Sequence, residues 1–289
     1  MLGEAVANLL RYAAPLSLAA IGESIGQKAG VLNIGLEGTM LSASYAGLLA
    51  DQATGSPWVA LVVGVVTGII VGLVQAWFTL GMAADAVVVG TAVNLLSLGL
   101  TSTAFRFRFG SSGQLLHIPT LPQAGGWDAI MVFAILVAGA GAFLLAKTKW
   151  GLLVRGAGEY PPAVNAAGFS VWKVRLQAIC FASGLAGLGG AYLTVGVVGS
   201  FAENMTAGRG FLALAIVTFG RWKPPWVVGA ALLVGAADWG QYALQSANLG
   251  IPSQLLRALP YLLALSVLMF AGSGTSTPSA LGQAYEGEG

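Results

Sequence analysis

The stretch Trp58-Val-Ala-Leu-Val-Val-Gly64-Val-Val-Thr-Gly68-Ile-Ile-Val-Gly72-Leu-Val-Gln-Ala-Trp-Phe-Thr-Leu80 contains no charged residue, and it sits in a wider charge-free interval between Asp51 and Asp85. A helix that crosses a bilayer needs about 20 mainly apolar residues, so this run predicts a membrane span. Gly64, Gly68 and Gly72 fall four apart on one face of that helix. Small residues at this spacing let a neighbouring backbone approach closely. Gly22, Gly26 and Gly30 repeat the pattern, and tight helix packing accounts for both.

The rest of the chain has the same character. Hydrophobic residues make up 56% of the sequence and charged ones 8%, against roughly a quarter charged in soluble domains. So few charges cannot clothe a water-facing surface, and lipid is the alternative solvent. The 42 glycines suit closely packed membrane helices. A net charge of +2 argues against a nucleic-acid partner. Reading the gaps between charges adds spans at Ala86 to Phe105, Ala129 to Ala146, Leu176 to Val198 and Ala258 to Ala271.

Four regions are less regular. Tyr12 to Gly22, Gly38 to Ala50 and Gly210 to Gly220 are apolar but short, and Asp238 interrupts Val227 to Leu244. Short, glycine-broken segments read as discontinuous or re-entrant helices, which survive in a membrane only inside protein or along a cavity. The expectation is an all-α polytopic membrane protein of about eight to ten spans, with residues 1–272 as one transmembrane domain.

The Lys and Arg residues orient it. Lys147, Lys149, Arg155, Lys173 and Arg175 cluster in the loop 147–175, which the positive-inside rule places in the cytoplasm. Alternation puts Lys28, Arg221 and Lys223 on the same side, with Arg11, Arg106, Arg108, Arg209 and Arg257 outside or near it. The tail 273–289 is small, polar and acidic, and is expected to be a disordered cytoplasmic extension.

Recognisable chemistry is missing from the sequence. No Gly-x-x-x-x-Gly-Lys-Ser/Thr phosphate loop occurs, and Gly22-Glu-Ser-Ile-Gly-Gln-Lys28 has the wrong spacing. His117 is the one histidine, so neither a zinc site nor a catalytic triad is expected. The chain is therefore expected to be a non-enzyme with no metal or cofactor of its own. Energy for transport would come from a partner or, alternatively, from a gradient as in a secondary transporter.

Two stretches stand apart. In Gly22-Glu-Ser-Ile-Gly-Gln-Lys-Ala-Gly-Val-Leu-Asn-Ile-Gly-Leu-Glu-Gly-Thr-Met-Leu41, the groups Glu23, Asn33 and Glu37 lie among glycines at the edge of an apolar run. Polar groups in a membrane usually face the bundle or a wet cavity. Asn33 and Glu37, four apart, would share a helical face. They either line a pathway or, in the case of Glu37, cap a neighbouring half-helix. Asn94, central in its span, and Asp238 are the other candidate pathway groups, and each is equally suited to bonding across helices. The second stretch, Arg155-Gly-Ala-Gly-Glu-Tyr-Pro-Pro-Ala-Val-Asn-Ala-Ala-Gly-Phe169, lies in the basic loop. Pro161 or Pro162 suits a first helical turn, Glu159 before it complements the helix dipole, and Gly168 suits its end. A short helix of small residues there fits a groove on a cytoplasmic partner.

These motifs carry a resemblance. Asn33-Ile-Gly-Leu-Glu-Gly38 with Met40-Leu41 resembles the signature of permeases of nucleoside ABC importers, within the simple-sugar and branched-chain amino acid permease superfamily. Gly158, Glu159, Pro161, Ala163, Ala166, Ala167 and Gly168 match that family's coupling element, with Tyr160, Val164, Asn165 and Phe169 departing from it. Phe181 to Tyr192, Gly208 to Ala215 and Phe219 to Pro224 are similar as well. The resemblance implies two inverted halves of broken helices, with Leu36 to Gly38 and Arg209 to Phe211 as corresponding half-helices. It implies a multi-pass subunit of the bacterial inner membrane. Its expected partners are a cytoplasmic ATPase that holds ATP and Mg, a second, longer permease chain, and an extracytoplasmic substrate-binding lipoprotein. Nucleosides are the implied solutes, with purine bases and simple sugars next, and Arg155, Gly158, Glu159, Pro161, Ala163, Ala166, Ala167 and Gly168 would meet the ATPase.

Overall fold

The structure is a computed structural model that describes residues 2–110, 118–246, 252–271 and 277–285. Eleven α-helices account for most of the described residues, and the β-structure among them is one isolated bridge between Ala124 and Trp127. In order they are α1 (Leu2–Lys28), α2 (Leu36–Thr54), α3 (Pro57–Ala76), α4 (Ala86–Phe109), α5 (Ala129–Lys147), α6 (Lys149–Glu159), α7 (Pro161–Ala166), α8 (Val171–Tyr192), α9 (Arg209–Phe219), α10 (Pro224–Ser246) and α11 (Ser253–Ala271). Widened π-helical turns extend α3 through Trp77–Gly81 and α8 through Leu193–Val198.

Among the described residues, six helices are long and apolar enough to cross a membrane: Gly3–Lys28, Pro57–Gly81, Ala86–Phe109, Ala129–Lys147, Val171–Val198 and Pro224–Gln245. Two shorter apolar helices, Arg209–Phe219 and Ser253–Val267, and the 19-residue α2 complete the bundle. The chain is an all-α, multi-pass membrane protein. Apolar side chains such as Val62, Val66 and Ile70 on α3, Leu95 and Leu96 on α4, and Leu136 and Phe143 on α5 point away from the bundle, as lipid-facing residues do.

The centre of the fold is α8, whose span is 89% buried, against 22% for α4. Glycine permits this. A Cβ on Gly68 would lie 2.2 Å from the Ser183 carbonyl oxygen, and one on Gly187 would lie 2.3 Å from the Gly64 carbonyl oxygen. Backbone therefore touches backbone along α3 and α8, as the glycine spacing predicts. Gly22 makes the same kind of approach from α1, where a Cβ would lie 2.8 Å from the Ala182 carbonyl oxygen. Gly190 places α8 equally close to α2 at Met40.

Several sequence expectations change here. The segment Tyr12 to Gly22 is not a short helix, because α1 runs unbroken to Lys28 with Glu23 fully buried inside it. The chain breaks instead at Gly30, which adopts φ +87°. Asn33 consequently lies in an extended link and shares no helical face with Glu37. Asp238 does not interrupt its helix, since α10 is continuous. The loop 147–175 is mostly helical, and its Arg175 is buried at 2% exposure rather than solvated. Residues 277–285 of the tail are ordered against the bundle, and His117 lies outside the described residues.

The α3–α8 contact sets a clear expectation. Gly68→Val forces apart two backbones already in contact, and overpacking of this kind costs about 1–3 kcal/mol. The melting temperature of the protein in detergent should fall, while Gly99→Val, with nothing within 4 Å of the added Cβ, should leave it unchanged. Equal melting temperatures for both variants would contradict the packing described.

Candidate functional site

The turn after Gly30 sends the chain into α2 at Leu36, and the loop 199–208 sends it into α9 at Arg209. The two helix N-termini meet inside the bundle. A Cβ on Gly210 would lie 2.4 Å from the Glu37 nitrogen, so α9 begins directly on the first turn of α2. The Glu37 side chain bridges them. Its Oε1 accepts hydrogen bonds from the Thr206 hydroxyl at 2.6 Å and the Gly208 N–H at 2.8 Å, and its Oε2 accepts from the Gly210 N–H at 2.7 Å. An acceptor group at a helix N-terminus satisfies orphan N–H donors and complements the helix dipole. Glu37 does this for α9 from the first turn of α2.

Asn94 does the corresponding work for α2. Its Oδ1 accepts from the Gly38 N–H at 2.7 Å, and its Nδ2 donates to the Ile34 carbonyl at 2.9 Å. Asn33 points elsewhere. Its backbone N–H donates to Glu23 Oε1 at 3.1 Å, and its Nδ2 donates to Ser183 Oγ at 3.4 Å. Gln27 Nε2 also donates to that Glu23 oxygen, and Gln27 in turn accepts from Trp222 Nε1 at 2.6 Å.

Beside the meeting point lies a cavity of about 470 Å³, inside the usual range of about 300–1,000 Å³ for small-molecule pockets. Arg209 forms one wall, its Nη2 donating to Asp238 Oδ2 at 2.8 Å. Gln241 Nε2 donates to Asp238 Oδ1 at 2.9 Å. The ring pair Tyr12 and Tyr242, with centroids 5.1 Å apart and planes tilted by 31°, adds an aromatic surface. Tyr261, also in the lining, donates its hydroxyl to the Ala207 carbonyl. Two buried lining atoms, Gln241 Oε1 and Gln245 Nε2, have no hydrogen-bond partner. Buried polar atoms are nearly always paired, so these two amides beside the cavity are exceptions.

A second candidate region sits where α6 meets α7. Gly158 lies so close to α1 that a Cβ would approach the Lys28 carbonyl oxygen to 2.2 Å. Pro161 begins α7, with Pro161 and Val164 buried beneath it. Ala163, Ala166, Ala167 and Gly168 are exposed, and Gly168 turns the chain at φ +81°. The exposed aromatic residues Tyr160, Phe169 and Trp172 flank them.

Residues 5–271 match the family described as branched-chain amino acid transport system / permease component. The chain belongs to this permease family. It is 31% identical to the guanosine ABC transporter permease protein NupQ of Bacillus subtilis (strain 168), over 96% of this chain and 94% of the relative. It is 31% identical to the putative glucose ABC transporter permease protein TsgC13 of Haloferax volcanii, over 96% of each. The nucleoside ABC transporter permease protein NupC of Lactococcus lactis subsp. cremoris is 29% identical, over 97% of this chain and 96% of the relative. The permease is thus of the ATP-binding cassette transporter type, and its likeness to these relatives runs end to end.

Of the four pathway candidates, the permease structure places Asp238 on the cavity, sets Glu37 and Asn94 to holding helix ends, and joins Asn33 to Glu23 of α1 and Ser183 of α8. The eight coupling candidates come together around α6 and α7. Gly158 and Pro161 face inward, Glu159, Ala163, Ala166, Ala167 and Gly168 are exposed, and Arg155 donates to the Gly151 carbonyl at 3.3 Å. Glu159 closes α6 rather than capping α7, whose N-terminus has no side-chain cap. Arg209, Gln241, Gln245, Tyr12 and Tyr261 were not singled out as site residues from the sequence. A polar stripe at 238, 241 and 245, at helical spacing within an apolar span, was the available signal.

The Glu37 bridge has a measurable consequence. Glu37→Ala leaves three donors without an acceptor, at about 1–3 kcal/mol for each buried unsatisfied group. Detergent stability should fall sharply, and Glu37→Gln, which keeps an acceptor oxygen, should recover part of the loss. Wild-type stability in Glu37→Ala would show that the bridge is dispensable.

Proposed function

We propose that this permease is the membrane subunit of an ATP-binding cassette importer of nucleosides in the bacterial inner membrane. In this reading it pairs with a second permease chain. A cytoplasmic ATPase holding ATP and Mg drives it through α7, and an extracytoplasmic binding lipoprotein supplies the solute.

The observation that carries the substrate reading is the cavity beside α9. A nucleoside offers a flat base and several hydroxyls. The Tyr12–Tyr242 pair provides a face for the base, and the unpaired Gln241 and Gln245 atoms provide an acceptor and a donor. Discrimination is strongest where a site's buried polar groups would be left unpaired by the wrong ligand. The relatives named for guanosine and nucleosides support the same class. The relative named for glucose supports a sugar as the second reading, since the same amides suit its hydroxyls.

The energy route rests on the α7 tip. Its exposed small residues and flanking aromatic side chains suit a groove on a protein partner. The basic end of the bundle, with Lys28, Arg155 and Lys223 around one depression, fits the cytoplasmic side. Movement of α7 would pass to α6 and α8, against which it packs, and from α6 to α1, and would open the cavity alternately to the two sides.

Deleting the gene should abolish uptake of labelled guanosine, and restoring it should recover uptake. Excess unlabelled adenosine should compete and excess glucose should not; the reverse order would establish the sugar reading. Glu159→Lys should insert normally yet lower solute-stimulated ATP hydrolysis in the assembled transporter by about fivefold or more, the scale of ordinary coupling between sites. Undiminished stimulation in that variant would remove α7 from the energy route.

A further inference from the structure

The acidic tail reads from composition as disordered, yet residues 277–285 are bound in place. Pro278 opens a turn closed by the Leu281 N–H on the Pro278 carbonyl at 3.1 Å and by the Gln283 N–H on the Ala280 carbonyl at 3.2 Å. Gly282 supplies the φ of +73° that the turn requires. From this turn the segment reaches three separate elements. The Ala280 N–H donates to the Gly158 carbonyl of α6 at 2.8 Å, and the Gly282 N–H donates to the Gly30 carbonyl beyond α1 at 2.9 Å. The Ser279 hydroxyl donates to Glu159 Oε2 at 3.2 Å, and Asn165 Nδ2 of α7 donates to the Tyr285 hydroxyl at 3.3 Å.

Arg175 of α8 closes the arrangement from beneath. Its Nε donates to the Ala29 carbonyl at 3.2 Å, its Nη2 to the Ala157 carbonyl at 3.2 Å, and its Nη1 to the Gln283 carbonyl at 2.7 Å. One buried guanidinium therefore gathers the end of α1, the end of α6 and the tail. Arginine suits this task because its donors are fixed in a planar fork. Without the tail, two carbonyls, one carboxylate oxygen, one side-chain amide nitrogen and one guanidinium nitrogen at this junction each lose a hydrogen bond. Neither the family match, which ends at residue 271, nor the motifs of the loop account for these contacts.

We propose that residues 277–285 form a strap that fixes the α6–α7 tip to α1 and α8, so that displacement of α7 moves those helices instead of being absorbed at the joints around Tyr160 and Gly168. The inference rests on the proposed energy route through α7. The six residues of α7 lie between two non-helical joints, Tyr160 and Gly168, and a push on so short an element reaches the bundle only if its flanks are held. The strap holds the N-terminal flank through Glu159 and the helix itself through Asn165. It leaves Pro162, Ala163, Ala166 and Ala167 exposed, so the face presented to an ATPase stays open.

The test uses the full transporter, with its ATPase and second permease, in proteoliposomes, and reads labelled guanosine transported per ATP hydrolysed. Two variants are compared with wild type: a chain ending at Ser276, and the full-length Gly282→Val, whose β-branched residue disfavours the left-handed turn. Both should retain the ATPase at wild-type stoichiometry and lose about fivefold or more in transport per ATP, the lower end of ordinary coupling energies. A wild-type ratio in both variants overturns the strap. Loss of the ATPase from both complexes overturns it too, because the segment would then belong to the docking face. Failure of the wild-type complex to transport guanosine, or to couple at all, would instead strike at the proposed function.

Discussion

The fold depends on one carboxylate placed where two helices begin. Glu37 lies 8% exposed in the first turn of α2 and takes three hydrogen bonds from the start of α9. A helix that starts inside a membrane leaves N–H groups facing a medium that cannot hydrogen-bond them. Two such starts meeting head to head would be doubly unfavourable, since their dipole ends repel. A single acidic side chain between them removes both difficulties. Asn94 then serves the donors of α2 that Glu37 does not reach. The glycines at 38 and 210 exist for the same reason, because any side chain there would occupy the space of the neighbouring backbone.

The same junction explains the strain nearby. Asn204 and Ala207 adopt positive φ values of 55° and 46°, conformations that L side chains seldom adopt. They bend the loop so that the Thr206 hydroxyl and the Gly208 N–H converge on Glu37, while the Ala207 carbonyl turns to Tyr261 at the cavity. Arg209, the first residue of α9, contributes to both environments. Its backbone starts the helix against Glu37, and its side chain pairs with Asp238 on the cavity wall. A buried ion pair is weak evidence for stability but a good device for fixing geometry. Any motion of α9 relative to α10 changes the cavity, and any motion of α9 relative to α2 strains the Glu37 bridge.

What the sequence revealed follows the range of the interactions involved. The membrane class, the spans at α3, α4, α5 and α8, the short α9 and the proline-started α7 all follow from local composition and period. The glycine repeat at 64, 68 and 72 foretold the α3–α8 contact because spacing along one helix defines a face. The misplaced features depend on partners distant in sequence. Asp238 looks like an interruption until Arg209, 29 residues away, neutralises it. Asn33 looks helical with Glu37 until Gly30 breaks the chain before it. Arg175 counts as a loop cation until the carbonyls of Ala29, Ala157 and Gln283 surround it. The tail has the composition of a disordered segment, and the groups that order it belong to the turn after α1 and to α6, α7 and α8.

These long-range pairs also make the two candidate regions one mechanical object. α1 ends near the strap and runs through the bundle to Tyr12 at the cavity, and α8 carries Arg175 in its second turn and continues into the π-turn whose Val197 and Val198 line the same cavity. Close-packed interiors transmit displacement poorly when a soft joint intervenes and well when backbones are in direct contact. Along this route the joints are backbone contacts: Gly158 on Lys28, Gly22 on Ala182, and Gly190 on Met40 of α2. α2 in turn meets α9 through Glu37. The proposed drive through α7 would therefore travel along continuous backbone contacts to Arg209 at the cavity wall.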